Sequence, residues 1–193
     1  MRRSLLAATS LAVVLAAAPS HADDVSDPIT GAQRVYEAGQ DRAAQAALRE
    51  ALQLITRRAA AAALAAALPD ALPGWNVDEE THQSAGAGAF SGVASRRFRN
   101  AQGQVIEIHL TSDTAVTAQL TEVLGNPMAA GSLGQLIRIG GHRAIQWTGG
   151  NVSVLVENRI VVQVQSAEPA EPNLSAAKLA YARATDMTRL TRR

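Results

Sequence analysis

The sequence predicts an α+β fold. A long N-terminal helix is followed by an antiparallel sheet of about seven strands flanked by two helices, βββα then ββββα, layered like an α/β/α sandwich. Three observations predict it. Apolar residues recur at helical spacing as far as Leu68, and after Pro69 the period switches to two. Short turn signals join successive strands, which makes them antiparallel neighbours. No strand–helix–strand alternation occurs, which argues against a doubly wound nucleotide-binding sheet.

The chain divides into residues 1–22, 23–68 and 69–193. Met1-Arg2-Arg3, the uncharged apolar run Leu5–Ala18 and the small residues Ser20 and Ala22 read as a signal peptide cleaved after Ala22. The run is shorter than the ~20 residues of a spanning helix, so no transmembrane segment is expected after cleavage. The periplasm is the expected location. Formal net charge is +1 for the full chain and −1 once Arg2 and Arg3 are removed, so no nucleic-acid partner is indicated. Cysteine is absent, which excludes disulfides, thiolate metal sites and a cysteine nucleophile.

Ser26 to Leu68 is the helical segment, with Pro28 suited to a first turn and Gly31 and Gly39 as candidate breaks. Leu48, Leu52, Ile55, Ala59, Ala62 and Ala66 form one apolar stripe. The stripe could pack on its own domain or make a homodimer through Leu48, Leu52 and Ile55. Alanine supplies much of the 47% hydrophobic content, and 15 alanines lie between Ala32 and Ala67, so the large-residue core belongs after Pro69.

Strands are expected at Trp75–Glu80, Val93–Arg99 and Gln104–Thr111. A helix capped by Ser112 or Asp113 follows, with Val116, Leu120, Val123 and Leu124 on one side, ending at Gly125-Asn126-Pro127. Leu136–Ile139 and His142–Trp147 flank the turn Gly140-Gly141, and Val152–Val156 pairs with Ile160–Gln165. Glu168 to Pro172 is a stiff linker, and Leu174–Leu190 is the last helix.

The richest polar constellation lies on the second and third strands. A turn between Asn100 and Gly103 pairs Arg97 with Glu107 and Ser95 with His109. Arg97, Arg99, Glu107 and His109 then share one face, with Phe98, Ile106, Ile108 and Leu110 on the other. The Gly140-Gly141 turn sets Arg138 opposite Arg143, where like charges repel unless solvent or an anion intervenes. These six polar residues are the candidate ligand-binding set; solvated arginines at a sheet edge are the simpler reading and discourage edge-to-edge aggregation. Asp78, Glu80 and His82 form a local cluster with the chemistry of a cation site. The glycine-rich segment 86–92 has neither phosphate-loop spacing nor a hydrolase elbow at Ser91, and reads as a strand-connecting loop.

Leu72-Pro73-Gly74-Trp75, Ser95-Arg96-Arg97-Phe98-Arg99-Asn100, Asn126-Pro127-Met128, Ile139-Gly140-Gly141 and the valine-rich last hairpin resemble, as a series, small exported bacterial proteins of unknown function. Their layout is similar to the PsbP-like α/β/α sandwich. The resemblance covers Pro69 to Leu190 and implies a fold, with no catalytic assignment. The expected function is a non-catalytic binding or accessory module of the cell envelope, engaging an envelope protein or a small ligand without a cofactor. A hydrolase-type enzyme and a metal-handling protein using the segment around His82 are the alternatives.

Overall fold

The computed structural model describes residues 25–78, 83–85, 92–166 and 174–191. It is an α+β fold, as the periodicity requires. Residues 1–22, 86–91 and 168–172, on which the leader, loop and linker expectations rest, and Glu80 and His82 lie outside the described residues.

The N-terminal helix is two helices, α1 (Ser26–Glu37) and α2 (Asp41–Ala65). Gly39 breaks it by taking a positive φ of 72°, where a side chain would be strained, whereas Gly31 continues the helix. The expected stripe does not face the protein. Leu48, Leu52 and Ile55 are 53%, 63% and 46% exposed, while Ala32, Ala44, Ala51, Ala61 and Leu64 are buried. The reason is steric. A Cβ on Gly92 would stand 2.6 Å from the backbone nitrogen of Ala61, so α2 meets the sheet nearly backbone to backbone. At Ala61 only a small residue permits that approach; Leu64, a turn further on, reaches the core beside it.

Eight strands follow among the described residues: β1 (Trp75–Val77), β2 (Gln83–Ala85), β3 (Gly92–Asn100), β4 (Val105–Thr111), β5 (Gly134–Ile139), β6 (His142–Trp147), β7 (Val152–Val156) and β8 (Ile160–Ser166). The sheet order is β1-β3-β4-β8-β7-β6-β5, with β2 also pairing β3, and every pairing is antiparallel. The expected first strand, Trp75–Glu80, stops at Val77. Pairing on the same edge of β3 resumes at Gln83 with the register slipped by two residues.

Helices cover both faces. On one, Phe98, Ile106, Ile108, Leu110, Val154 and Val162 pack against the C-terminal turns of α2, α5 (Ser175–Ala184) and α6 (Met187–Thr191). The change at Pro69 is thus one of periodicity, since Leu64 and Leu68 share the core of the strands. Tyr181 stacks on Phe98 at 4.3 Å between ring centres and meets Trp75 edge-on at 5.7 Å. The other face carries Ile145, Leu155 and Val161 under α3 (Thr114–Gly125) and α4 (Pro127–Leu133). Asp113 caps α3, accepting from the N–H groups of Ala115 and Val116. Pro127 both ends α3 and supplies the first turn of α4, a helix the periodicity had not shown.

Lys178, the chain's lone lysine, is fully buried in α5. Its Nζ donates to Asn151 Oδ1 at 2.9 Å, Ser166 Oγ at 3.1 Å and the Gly149 carbonyl at 3.4 Å. It therefore ties α5 to the β6–β7 turn and to the end of β8. Carbonyls at the end of α2 receive similar treatment: Arg189 donates to Ala66 O at 2.8 Å and the Asp186 N–H to Ala67 O at 3.1 Å.

Candidate functional site

The polar sheet face forms in the expected register: Arg97 opposite Glu107, Arg99 opposite Val105, Ser95 opposite His109. Gly103 carries the positive φ of 80° that the turn demands. β8 extends the rows, setting Gln165 beside Glu107 and Gln163 beside His109. His109 Nε2 lies 3.1 Å from Glu107 Oε2, both side chains being partly exposed. Arg99 turns away from this pair and donates to Asp78 Oδ2 at 2.9 Å. One carboxylate of the candidate cation set is therefore engaged by a guanidinium. Among the described residues no group of three or more His, Asp or Glu is placed to hold a metal ion; Glu80 and His82 are not among them.

Arg138 and Arg143 do stand opposite each other. They part rather than share a ligand: Arg138 donates to Gly141 O at 3.1 Å, and Arg143 to Asn158 Oδ1 at 2.8 Å. Strand order also separates them from Arg97 and Arg99. Four strand spacings lie between β3 and β6, about 19 Å at ~4.8 Å each. The structure thus splits the six candidate residues into a β3–β4 group and a β5–β6 group.

A larger concavity sits elsewhere, at the end of the sandwich where both helical layers meet the sheet. It is a groove of about 790 Å³, within the usual range for small-molecule sites. Ala60, Ala63, Leu64, Ala118, Ile160 and Leu190 give it an apolar floor. One wall is α3. The Thr117 and Thr121 hydroxyls donate back to the carbonyls of Asp113 and Thr117, both at 2.7 Å, so they offer the groove acceptors and methyl groups rather than donors. Glu122 adds a carboxylate on this wall.

The facing wall is rich in donors. The β7–β8 turn holds Glu157 and Asn158 at positive φ, 51° and 54°, an uncommon conformation outside glycine that tightens the hairpin. It presents Asn158 and Arg159 to the groove. Because Arg143 engages the Asn158 carbonyl oxygen, the amide N–H groups remain as donors. Arg159 is steadied on Leu190 O at 3.3 Å, and Arg189 on Ala66 O with Asp186 at 3.1 Å from its Nε. The groove is therefore apolar at its base, accepting along α3 and donating along the turn and α6. Such an arrangement binds and orients a molecule. The described residues that line it include four hydroxyl side chains and no histidine to act as their base.

Sequence reasoning had no access to this groove. Its residues come from α2, α3, the β7–β8 turn, β8 and α6, with Ser112 from just after β4, up to 130 positions apart. The single local hint was the Glu157-Asn158-Arg159 turn, which the periodicity treats as a hairpin connection and nothing more.

The fold and groove define a class, an α/β/α layered sandwich with a cleft at one end. Comparison with known proteins finds no matching family model, no matching curated protein and no matching solved structure. Among the described residues no helix is long and apolar enough to cross a membrane.

Proposed function

We propose that this chain is an exported, non-catalytic binding module of the cell envelope, and that its ligand seat is the end groove. The carrying observation is the groove's polarity: an apolar floor between a wall of acceptors and a wall of anchored donors. The described lining holds hydroxyls and one carboxylate, Glu122, but no histidine of the kind that activates a serine or threonine nucleophile. The antiparallel sheet layered between helices supports kinship with the PsbP-like sandwich. The leader Met1–Ala22 supports export to the periplasm.

The test is native mass spectrometry of the protein purified from the envelope fraction of an expressing bacterium. The expected mass lacks residues 1–22 and carries a bound small molecule that an Ala63→Trp variant, its groove filled, has lost. A full-length mass overturns export. Equal ligand retention by the folded variant overturns the groove.

A second reading concerns α2. The exposure of Leu48, Leu52 and Ile55 supports homodimer formation through this stripe. Sedimentation at increasing concentration should then show a dimer that Leu52→Asp dissolves, and a wild-type monomer disposes of the idea.

A further inference from the structure

The two edges of the sheet are built differently. At one, β3 is covered by β1 and β2, two short segments out of register with each other by two residues, so no long straight edge is offered. At the other, β5 ends the strand order and pairs with β6 alone. Its outer row of backbone N–H and C=O groups meets no strand among the described residues. The usual guards are missing as well. Gly134–Ile139 contains no proline, lysine or carboxylate, and its one charge, Arg138, folds back onto Gly141 O. Leu136 on the strand and Leu133 just before it are both 41% exposed, and α4, which contacts β5, carries Met128 at 89%.

Charge decides what the edge can accept. No Asp or Glu occurs between Glu122 and Glu157, a stretch that includes α4, β5 and β6 and carries Arg138 and Arg143. A second copy pairing β5 to β5 would bring two such basic hairpins together, with no acid on either to offset them. An acidic strand meets no such penalty. We propose that β5 is a docking edge for an extended acidic peptide segment of a partner protein. The partner adds an antiparallel or parallel strand through backbone hydrogen bonds. Its carboxylates pair with Arg138 on the face that Leu136 and Arg138 share, and its alternate apolar side chains lie on the opposite face, beside Ile137. Arg138 thus has two effects, repelling self-association and selecting the partner. This inference is independent of the end groove.

The test is fluorescence anisotropy with the full mature chain and three labelled six-residue probes: one alternating valine with glutamate, one with lysine in place of glutamate, and the first methylated on alternate backbone nitrogens. The glutamate probe is expected to bind at least tenfold more tightly than the lysine probe. Methylation should abolish binding, because the backbone N–H groups are then gone. Arg138→Glu, an exposed change that leaves the melting temperature within a few degrees, should weaken the glutamate probe tenfold and recover the lysine probe. Failure of the glutamate probe to bind overturns the proposal, and so does undiminished binding of the methylated probe. A wild-type dimer in sedimentation that Arg138→Glu alters would replace the acidic partner with a second copy, and overturns it equally.

Discussion

The α1–α2 hairpin and the sheet are both rich in apolar residues, yet they use them in opposite ways. In the sheet the largest side chains are inside: Phe98, Ile106, Ile108, Leu110 and Tyr181 are sealed from solvent. In α2 Leu48, Leu52 and Ile55 are outside and Ala44, Ala51 and Ala61 make the contact, with Leu64 alone among its buried residues larger than alanine. Strands stand about 10 Å from a packed layer and need long side chains to fill the space. Two helices, or a helix crossing a strand that begins with glycine, come closer, and a methyl group suffices. Hydrophobicity therefore identifies the buried face only where the spacing between layers is already known.

Three measurements sharpen or break this contrast. The largest effect is expected at Phe98. Phe98→Ala removes a fully buried ring from the stack with Tyr181 and should cost about 3–5 kcal/mol in chemical denaturation. A loss below ~1 kcal/mol would mean that the site collapses and the sheet core is not jigsaw-packed.

Next comes Tyr181. Burial raises its phenol from 10.0 to about 12, partly opposed by the Leu72 N–H that donates to its oxygen at 3.3 Å. The folded state prefers the neutral phenol, so its contribution is complete below pH 10 and is lost as pH rises from 10 towards 12. At ~1.4 kcal/mol per unit the loss reaches about 3 kcal/mol. Denaturation across that window should show the slope in the wild type and not in Tyr181→Phe. An equal slope in both would place the alkaline sensitivity elsewhere.

The smallest effect is expected on the helical hairpin. Leu52→Asp changes a side chain already 63% exposed and should leave the monomer's stability within ~0.5 kcal/mol. A loss of several kcal/mol in dilute, monomeric protein would show that the stripe is covered, and the contrast between the two regions would fail.

Much of the sheet was legible because its determinants are local. The Asn100–Gly103 turn fixed the pairing of Arg97 with Glu107, and Gly140-Gly141 fixed Arg138 against Arg143. Period-two alternation then placed Phe98, Ile106, Ile108 and Leu110 on the buried side. The helical stripe was legible as apolar, but what it faces was not: both faces of α2 are apolar, and which one is buried depends on contacts with α1 and, at Ala61, on Gly92, thirty residues further on. Of the candidate site residues, the strand-level neighbours could be inferred, but no local pattern states which hairpins lie side by side.

What the sequence determined by itself was the fold class, the antiparallel hairpins and their registers, because turn chemistry and side-chain alternation act over a few residues. Tertiary structure alone decided the strand order that separates Arg97 from Arg143, the face that α2 buries, the open β5 edge and the groove assembled from five elements. Those features arise where distant segments fill space against one another, and close packing depends on shape and charge at the contact rather than on any single segment's pattern.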